Sequence, residues 1–336
     1  MSPSDPPSGA RVFVVSHTHW DREWYETFQQ FRLRLVDLID QVLDLLDNAP
    51  GYEYFMLDGQ AIVLEDYLAV RPEREQDLRR LVQAGRLLIG PWYILPDEFL
   101  VSPEALIRNL QHGIRVSRRF GEPMPIGYIP DPFGHVGQMP QILRGFGIGE
   151  VVLARGLGRE PVELLWEGPD GSRVLLLYLR EGYGNFAWLP TDPELFVEEL
   201  RRRADTFLAA AYTPNALLLN GTDHLFPLPD LPRLLDAARG RLPGTTIRHA
   251  TLPQYVSAVR ADLHDDGRDL PLIAGELRSA ERLHLLPAVL STRMWIKQAN
   301  DACETLLERY AEPLCAWSCL LQGPDRRAEL DLAWRL

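Results

Sequence analysis

His19 and Asp21 lie two residues apart in the stretch His17-Thr-His-Trp-Asp-Arg-Glu-Trp24. On an extended backbone, side chains two apart point the same way. A neutral imidazole and a carboxylate converging on one point form half a site for zinc or a similar divalent ion. The same groups would serve equally to hydrogen-bond the end of a strand. Two more aspartates stand in turns: Asp131 in Pro130-Asp-Pro-Phe-Gly-His135 and Asp223 in Asn220-Gly-Thr-Asp-His224. The prolines flanking Asp131 stiffen the backbone and fix where its carboxylate points. One nucleophilic and one acid/base carboxylate are the minimum apparatus of a retaining glycosidase. Trp20, Trp24, Trp92, Tyr93 and Phe133 sit at neighbouring rims, where aromatic rings suit either a sugar's apolar face or plain packing. Asp58, Asp97 and Glu98 are further acids at strand ends, suited to holding sugar hydroxyls or to capping helices.

Each of these groups needs an element to deliver it. Residues 11–16 are an apolar, β-branched run that stops at His17, as a buried strand does on reaching an active-site rim. Short apolar runs at 54–57, 87–89, 126–129, 151–154, 216–219 and 246–249 repeat the pattern. Between them, apolar residues at helical spacing predict helices, for example over 31–46, 73–84, 193–211 and 252–263. Ser102-Pro103 opens another with an N-cap and a proline at its first position. Pro169-Asp-Gly171 between two apolar runs reads as a β-hairpin over 164–179. Seven alternations of strand and helix argue an α/β fold with a parallel sheet and right-handed crossovers. A doubly wound nucleotide binder wants a glycine fingerprint after its first strand, and His-Thr-His-Trp-Asp stands there instead. The expectation is therefore a seven-stranded parallel (β/α) barrel over residues 11–275, after a disordered lead-in at 1–10. From 276 to 336 the pattern turns helical (290–310, 313–321 and 328–336), as in an incomplete helical bundle.

Composition narrows the function classes. The 336 residues carry a formal net charge of −12, and the arginines are scattered, so the footprint of a nucleic-acid binder is missing. No apolar run approaches the roughly 20 residues that cross a bilayer, and the N-terminus has no signal-peptide core. Cys303, Cys315 and Cys319 have no further ligand nearby and fit buried, reduced thiols of a cytoplasmic protein. Lys297 is the lone lysine; arginine has taken over that role.

Taken together, His17-Thr-His-Trp-Asp-Arg-Glu-Trp24, Gly90-Pro-Trp-Tyr93, Pro96-Asp-Glu98, Pro130-Asp-Pro-Phe-Gly-His135 and Asn220-Gly-Thr-Asp223 resemble the successive signatures of glycoside hydrolase family 38, the zinc-dependent retaining α-mannosidases. Leu290-Ser-Thr-Arg-Met-Trp-Ile-Lys-Gln-Ala299 resembles the start of that family's middle helical domain in bacterial members. The resemblance implies one Zn2+ per chain, or another divalent ion, bound by His19, Asp21 and Asp131. It implies Asp131 as nucleophile, Asp223 as acid/base, Trp24 as the floor of the mannose site and Arg155 near the nucleophile. Asp58, Trp92 and Tyr93 complete the expected substrate-binding set. The implied reaction is hydrolysis of terminal α-D-mannosidic linkages with retention, on a mannose-containing oligosaccharide or a small mannoside. No nucleic-acid or membrane partner is expected, and the oligomeric state is open. The family's fourth zinc ligand, a histidine in a His-Asp pair on a helix of the middle domain, has no counterpart before Leu336, so the chain is expected to be an N-terminal piece with little activity of its own.

Other readings fit some of these residues. The His17-x-His19 pair suits an amidohydrolase metal site, but that chemistry wants more histidines at later strand ends. A carbohydrate deacetylase of a related barrel would use Asp and His ligands at similar strand ends and attack through metal-bound water. A non-catalytic sugar-binding remnant is the alternative from outside enzymology.

Overall fold

The computed structural model describes residues 9–335. Of the expected lead-in, residues 1–8 lie outside the described residues; Gly9 donates its N–H to the Gly244 carbonyl (3.3 Å) and Ala10 is buried. The described strands are β1 (Arg11–Thr18), β2 (Phe55–Leu57), β3 (Leu87–Leu88), β4 (Gly127–Ile129), β5 (Glu150–Leu153), β6 (Glu163–Glu167), β7 (Arg173–Tyr178), β8 (Asn215–Asn220), β9 (Thr246–His249) and β10 (Leu272–Ala274). Val12 to Val15 in β1 are all buried, and each such side chain contributes about 1.5–3 kcal/mol relative to exposure. This continuous burial is what a strand covered on both faces requires.

The strands do not close into one seven-stranded barrel. They form two five-stranded sheets: β3-β2-β1-β8 with β9 also on β1, and β10-β6-β7-β5-β4. Pairing is parallel throughout except between β6 and β7, the expected hairpin. The seams have local causes. On one side β3 is two residues long and runs into Gly90-Pro91, where proline has no N–H to give a neighbour. On the other, the chain leaves β7 through a glycine-rich turn, and a side chain takes the place of a strand. The Asn185 carboxamide donates to the Leu217 carbonyl (2.9 Å) and accepts from the Leu219 N–H (2.7 Å) of β8.

Helices α1 (Phe28–Asn48), α2 (Ile62–Leu68), α3 (Glu75–Gln83), α4 (Pro103–Ser117), α5 (Met139–Gly145), α6 (Pro193–Leu208), α7 (Leu231–Arg241) and α8 (Leu252–Asp266) fill the crossovers. The α4 start is as expected: the Ser102 hydroxyl accepts from the Ala105 N–H (3.0 Å), with Pro103 at the first position. Segment 276–290 then crosses the ends of β4 and β5. Beyond it, α9 (Met294–Leu306) passes through a π-helical turn at Leu307–Ala311 into α10 (Glu312–Leu320), and α11 (Arg327–Arg335) follows. A break was expected before Pro313. The widened π turn absorbs the missing proline N–H instead, so the two helices join. Glu304 accepts from the Ser102 N–H (3.0 Å) and Glu312 from Arg108 (2.6 Å), which ties this helix to α4. No described helix is long and apolar enough to cross a membrane.

Candidate functional site

The ends of β1, β4, β5 and β8 meet at a cleft of about 830 Å³. Past β1, the His19 N–H donates to the Thr222 carbonyl (3.1 Å) and the His224 N–H to the His19 carbonyl (2.8 Å), so the loops carrying Asp21 and Asp223 are stitched together. That close approach needs Gly221: a Cβ there would lie 1.9 Å from the His17 carbonyl oxygen. His224 also reaches the Asp21 carbonyl with Nε2 (3.0 Å) and stacks on Phe31 of α1 (4.1 Å).

His19 is oriented from behind. Its Nδ1 lies 2.9 Å from Oδ2 of the buried Asp58, which also accepts from the Trp20 N–H and the Gln60 carboxamide (2.8 Å each). With Nδ1–H donated to Asp58, Nε2 faces the cleft, buried and without a hydrogen-bond partner. It is 3.6 Å from Asp21 Oδ1 and 3.6 Å from Asp131 Oδ2. Two ligands of a tetrahedral ion bound at about 2.1 Å stand roughly 3.4 Å apart, so these spacings fit donors awaiting a cation. Among the described residues, however, no group of three or more His, Cys, Asp or Glu side chains is arranged so that it could hold a metal ion. Burial lowers the His19 pKa, but Asp58, Asp131 and Asp21 outweigh it and hold the ring well above its ordinary value. An environment that draws a proton to Nε2 so strongly is also one that favours a metal cation in its place.

Asp131 is placed by its prolines and by a clamp behind them. Buried Glu98 accepts from His135 Nδ1 (2.7 Å) and the Val136 N–H (2.8 Å). Burial pushes the Asp131 carboxyl up, yet His19 and Arg155 overcome it and leave it well below the usual carboxylate range. Arg155 donates Nε (3.0 Å) and Nη2 (2.6 Å) to Asp131 Oδ1. Tyr183 was not singled out in the sequence, and it joins the two catalytic candidates. Its hydroxyl lies 3.0 Å from Asp131 Oδ1 and 2.8 Å from Asp223 Oδ1. Burial and those two carboxylates hold the phenol protonated far above its ordinary value. His17, which lies outside the ligand cluster, bonds the Tyr183 carbonyl through Nε2 (2.9 Å) and so holds that residue's backbone. The available signal was a tyrosine between two glycines, Gly182-Tyr-Gly184, just after the hairpin.

Trp24 is 62% exposed and lines the cleft with Arg155. Three other expected substrate contacts are corrected. Asp58 is fully buried behind His19 and holds the imidazole rather than a ligand. Trp92 is fully buried in the core under α4. Tyr93 packs against the core and turns its hydroxyl to Glu65 (2.9 Å), away from the cleft. Asp97 does line the cleft, and burial raises its pKa.

The profile described as "Glycosyl hydrolases family 38 N-terminal domain" matches residues 9–276. The chain belongs to glycosyl hydrolase family 38. A curated relative, a putative mannosylglycerate hydrolase from Halalkalibacterium halodurans, is 40% identical over 323 residues, covering 90% of this chain and 35% of its own. Alpha-mannosidase G from Dictyostelium discoideum is 28% identical over 184 residues, covering 52% of this chain and 17% of its own. The crystal structure of an alpha-mannosidase from Enterococcus faecalis superposes with a TM-score of 0.92 at 36% identity, over 97% of this chain and 37% of that one. This family 38 chain thus aligns with between about a sixth and a third of the length of the relatives named.

Proposed function

We propose that the cleft hydrolyses terminal α-D-mannosidic linkages with retention, on a mannose-containing oligosaccharide or small mannoside. The supporting observation is the Tyr183 bridge. With one hydroxyl bonded to both, Asp131 Oδ1 and Asp223 Oδ1 are no more than about 6 Å apart, an approach that suits the close carboxyl pair of a retaining enzyme. In this reading Asp131 attacks the anomeric carbon as Asp223 gives a proton to the departing oxygen, leaving a glycosyl ester on Asp131. Asp223 then takes a proton from water, which attacks the same carbon, releases Asp131 and restores the configuration. Tyr183 and Arg155 hold Asp131 Oδ1 in line, and Trp24 offers its exposed ring to the sugar.

His19, Asp21 and Asp131 would hold a single divalent cation, which we assign as zinc from the nitrogen and carboxylate donor set. When bound it supplies positive charge for sugar hydroxyls. We assign residues 11–275 to the catalytic unit and 276–336 to part of a helical domain. The three free cysteines favour a cytoplasmic setting, although Cys303 and Cys319 are exposed rather than buried as expected.

The test is to incubate the protein at its full natural length with an activated fluorinated mannoside and locate the label by mass spectrometry. Label on Asp131, absent from D131N, is expected. Turnover undiminished in D131N would overturn the assignment.

A further inference from the structure

Resting on the mannosidase reading, we propose that Arg22 binds the substrate, its Nη1 donating to a hydroxyl of an uncharged glycoside. Arg22 directly follows Asp21 and lines the same cleft as His19, Asp131 and Asp223. Its backbone is fixed, since His224 Nε2 bonds the Asp21 carbonyl in the peptide that joins the two residues (3.0 Å). Its side chain is held on two sides. Nε and Nη2 donate to the two carboxylate oxygens of the buried Asp66 in α2, at 2.7 and 2.9 Å. The guanidinium lies over the Phe28 ring, with Cζ 4.6 Å from the centroid, and Phe28 lines the cleft as well.

A carboxylate that binds a guanidinium in this forked way takes one edge and leaves the rest free. Nη1 of Arg22 has no hydrogen-bond partner among the described residues, and the side chain is 31% exposed. Arg155, the other guanidinium lining the cleft, is fully engaged: Nε and Nη2 go to Asp131 and Nη1 to the His284 carbonyl. A donor whose direction is set before the ligand arrives loses little freedom on binding.

Charge decides the kind of acceptor. Each cleft guanidinium already faces a carboxylate of its own, Arg22 with Asp66 and Arg155 with Asp131. Asp21, Glu23, Asp97 and Asp223 also line the cleft, and among the described residues none of them is paired with an arginine or lysine. A divalent cation and a protonated acid at Asp223 would together still leave a surplus of negative charge. A phosphate or carboxylate would enter against that surplus, whereas a hydroxyl accepts from Nη1 and brings no charge.

The test is calorimetry on the protein at its full natural length with a sulfur-linked, non-hydrolysable methyl α-mannobioside and its 6-phosphate. Wild type, R22Q and D66N are compared, each also melted to read its stability. R22Q is expected to bind the uncharged ligand about tenfold more weakly. D66N, which frees the guanidinium to turn, should lose about threefold, and the wild type should prefer the uncharged ligand to the phosphate. Unchanged affinity in both variants, with only their melting temperatures lowered, would reduce the Arg22–Asp66 pair to a tie between the loop and α2 and overturn the inference. Tighter binding of the phosphate, lost in R22Q, would overturn it too and make Arg22 an anion site. Should R22Q not fold, D66N decides alone. If the wild type binds neither ligand, the mannosidase reading itself fails and takes the inference with it.

Discussion

His19 gives its Nδ1 proton to Asp58, whose side chain is almost wholly sealed from solvent. The bond fixes both the tautomer and the tilt of the ring, so the cleft receives a lone pair. A sealed carboxylate behind His19 orients and tunes its free nitrogen without lining the cleft itself.

Asp58→Ala should therefore weaken zinc binding by about 10–100-fold without removing any ligand. Calorimetric titration of zinc into the wild type and the variant checks this. Affinity unchanged within error would mean that Asp58 only fills space.

Tyr183→Phe removes one hydroxyl and leaves the ring. The two carboxyl groups lose their shared hydrogen-bond partner, and kcat should fall by about 10²-fold with KM changed far less. Steady-state kinetics on an aryl α-mannoside would show it; a change confined to KM would reassign Tyr183 to ground-state binding.

Gly221→Ala should be unfolded or destabilised by about 3 kcal/mol or more, because its Cβ has the His17 carbonyl as a neighbour at 1.9 Å. Urea denaturation read by circular dichroism decides. Wild-type stability would mean that the two loops part easily.

His249 bears on pH. Burial lowers its pKa to about 4, and the Glu53 N–H donates to its Nδ1 (3.2 Å) while Nε2 meets the Ser16 hydroxyl (3.0 Å). The folded pKa lies below the unfolded value, so between about pH 6.5 and 4 the unfolded chain binds the extra proton. The contribution is complete above pH 6.5 and is lost as pH falls, by about 2 kcal/mol at pH 5. His249→Gln should flatten that part of the slope, and denaturation curves at pH 7.5 and 5 would reveal it.

The convergence of His19, Asp21, Asp131 and Asp223 on one cleft was legible because each follows a run whose composition demands a strand, and spacing along a strand fixes direction. What a strand end does not encode is depth. Asp58 and Trp92 follow strands as Asp21 does, yet they turn into the interior, since that choice depends on neighbours distant in sequence. Tyr183 was hidden for the opposite reason: no regular element carries it; His17 of β1 holds its backbone, and Asn185 in the same loop fastens that loop to β8. The hairpin at 164–179 was readable from Pro169-Asp-Gly171, but not its effect on closure. An antiparallel pair within one sheet, together with Pro91 beside a two-residue strand, leaves two seams that no local pattern announces.

At one of those seams the continuity of the architecture hangs on a carboxamide. Hydrolysis of the Asn185 amide to an acid would leave its bond from the Leu219 N–H but turn its donor to Leu217 into an oxygen facing an oxygen. Slow chemical ageing of a stored sample would then open the molecule beside Tyr183, and activity would fade before the fold did.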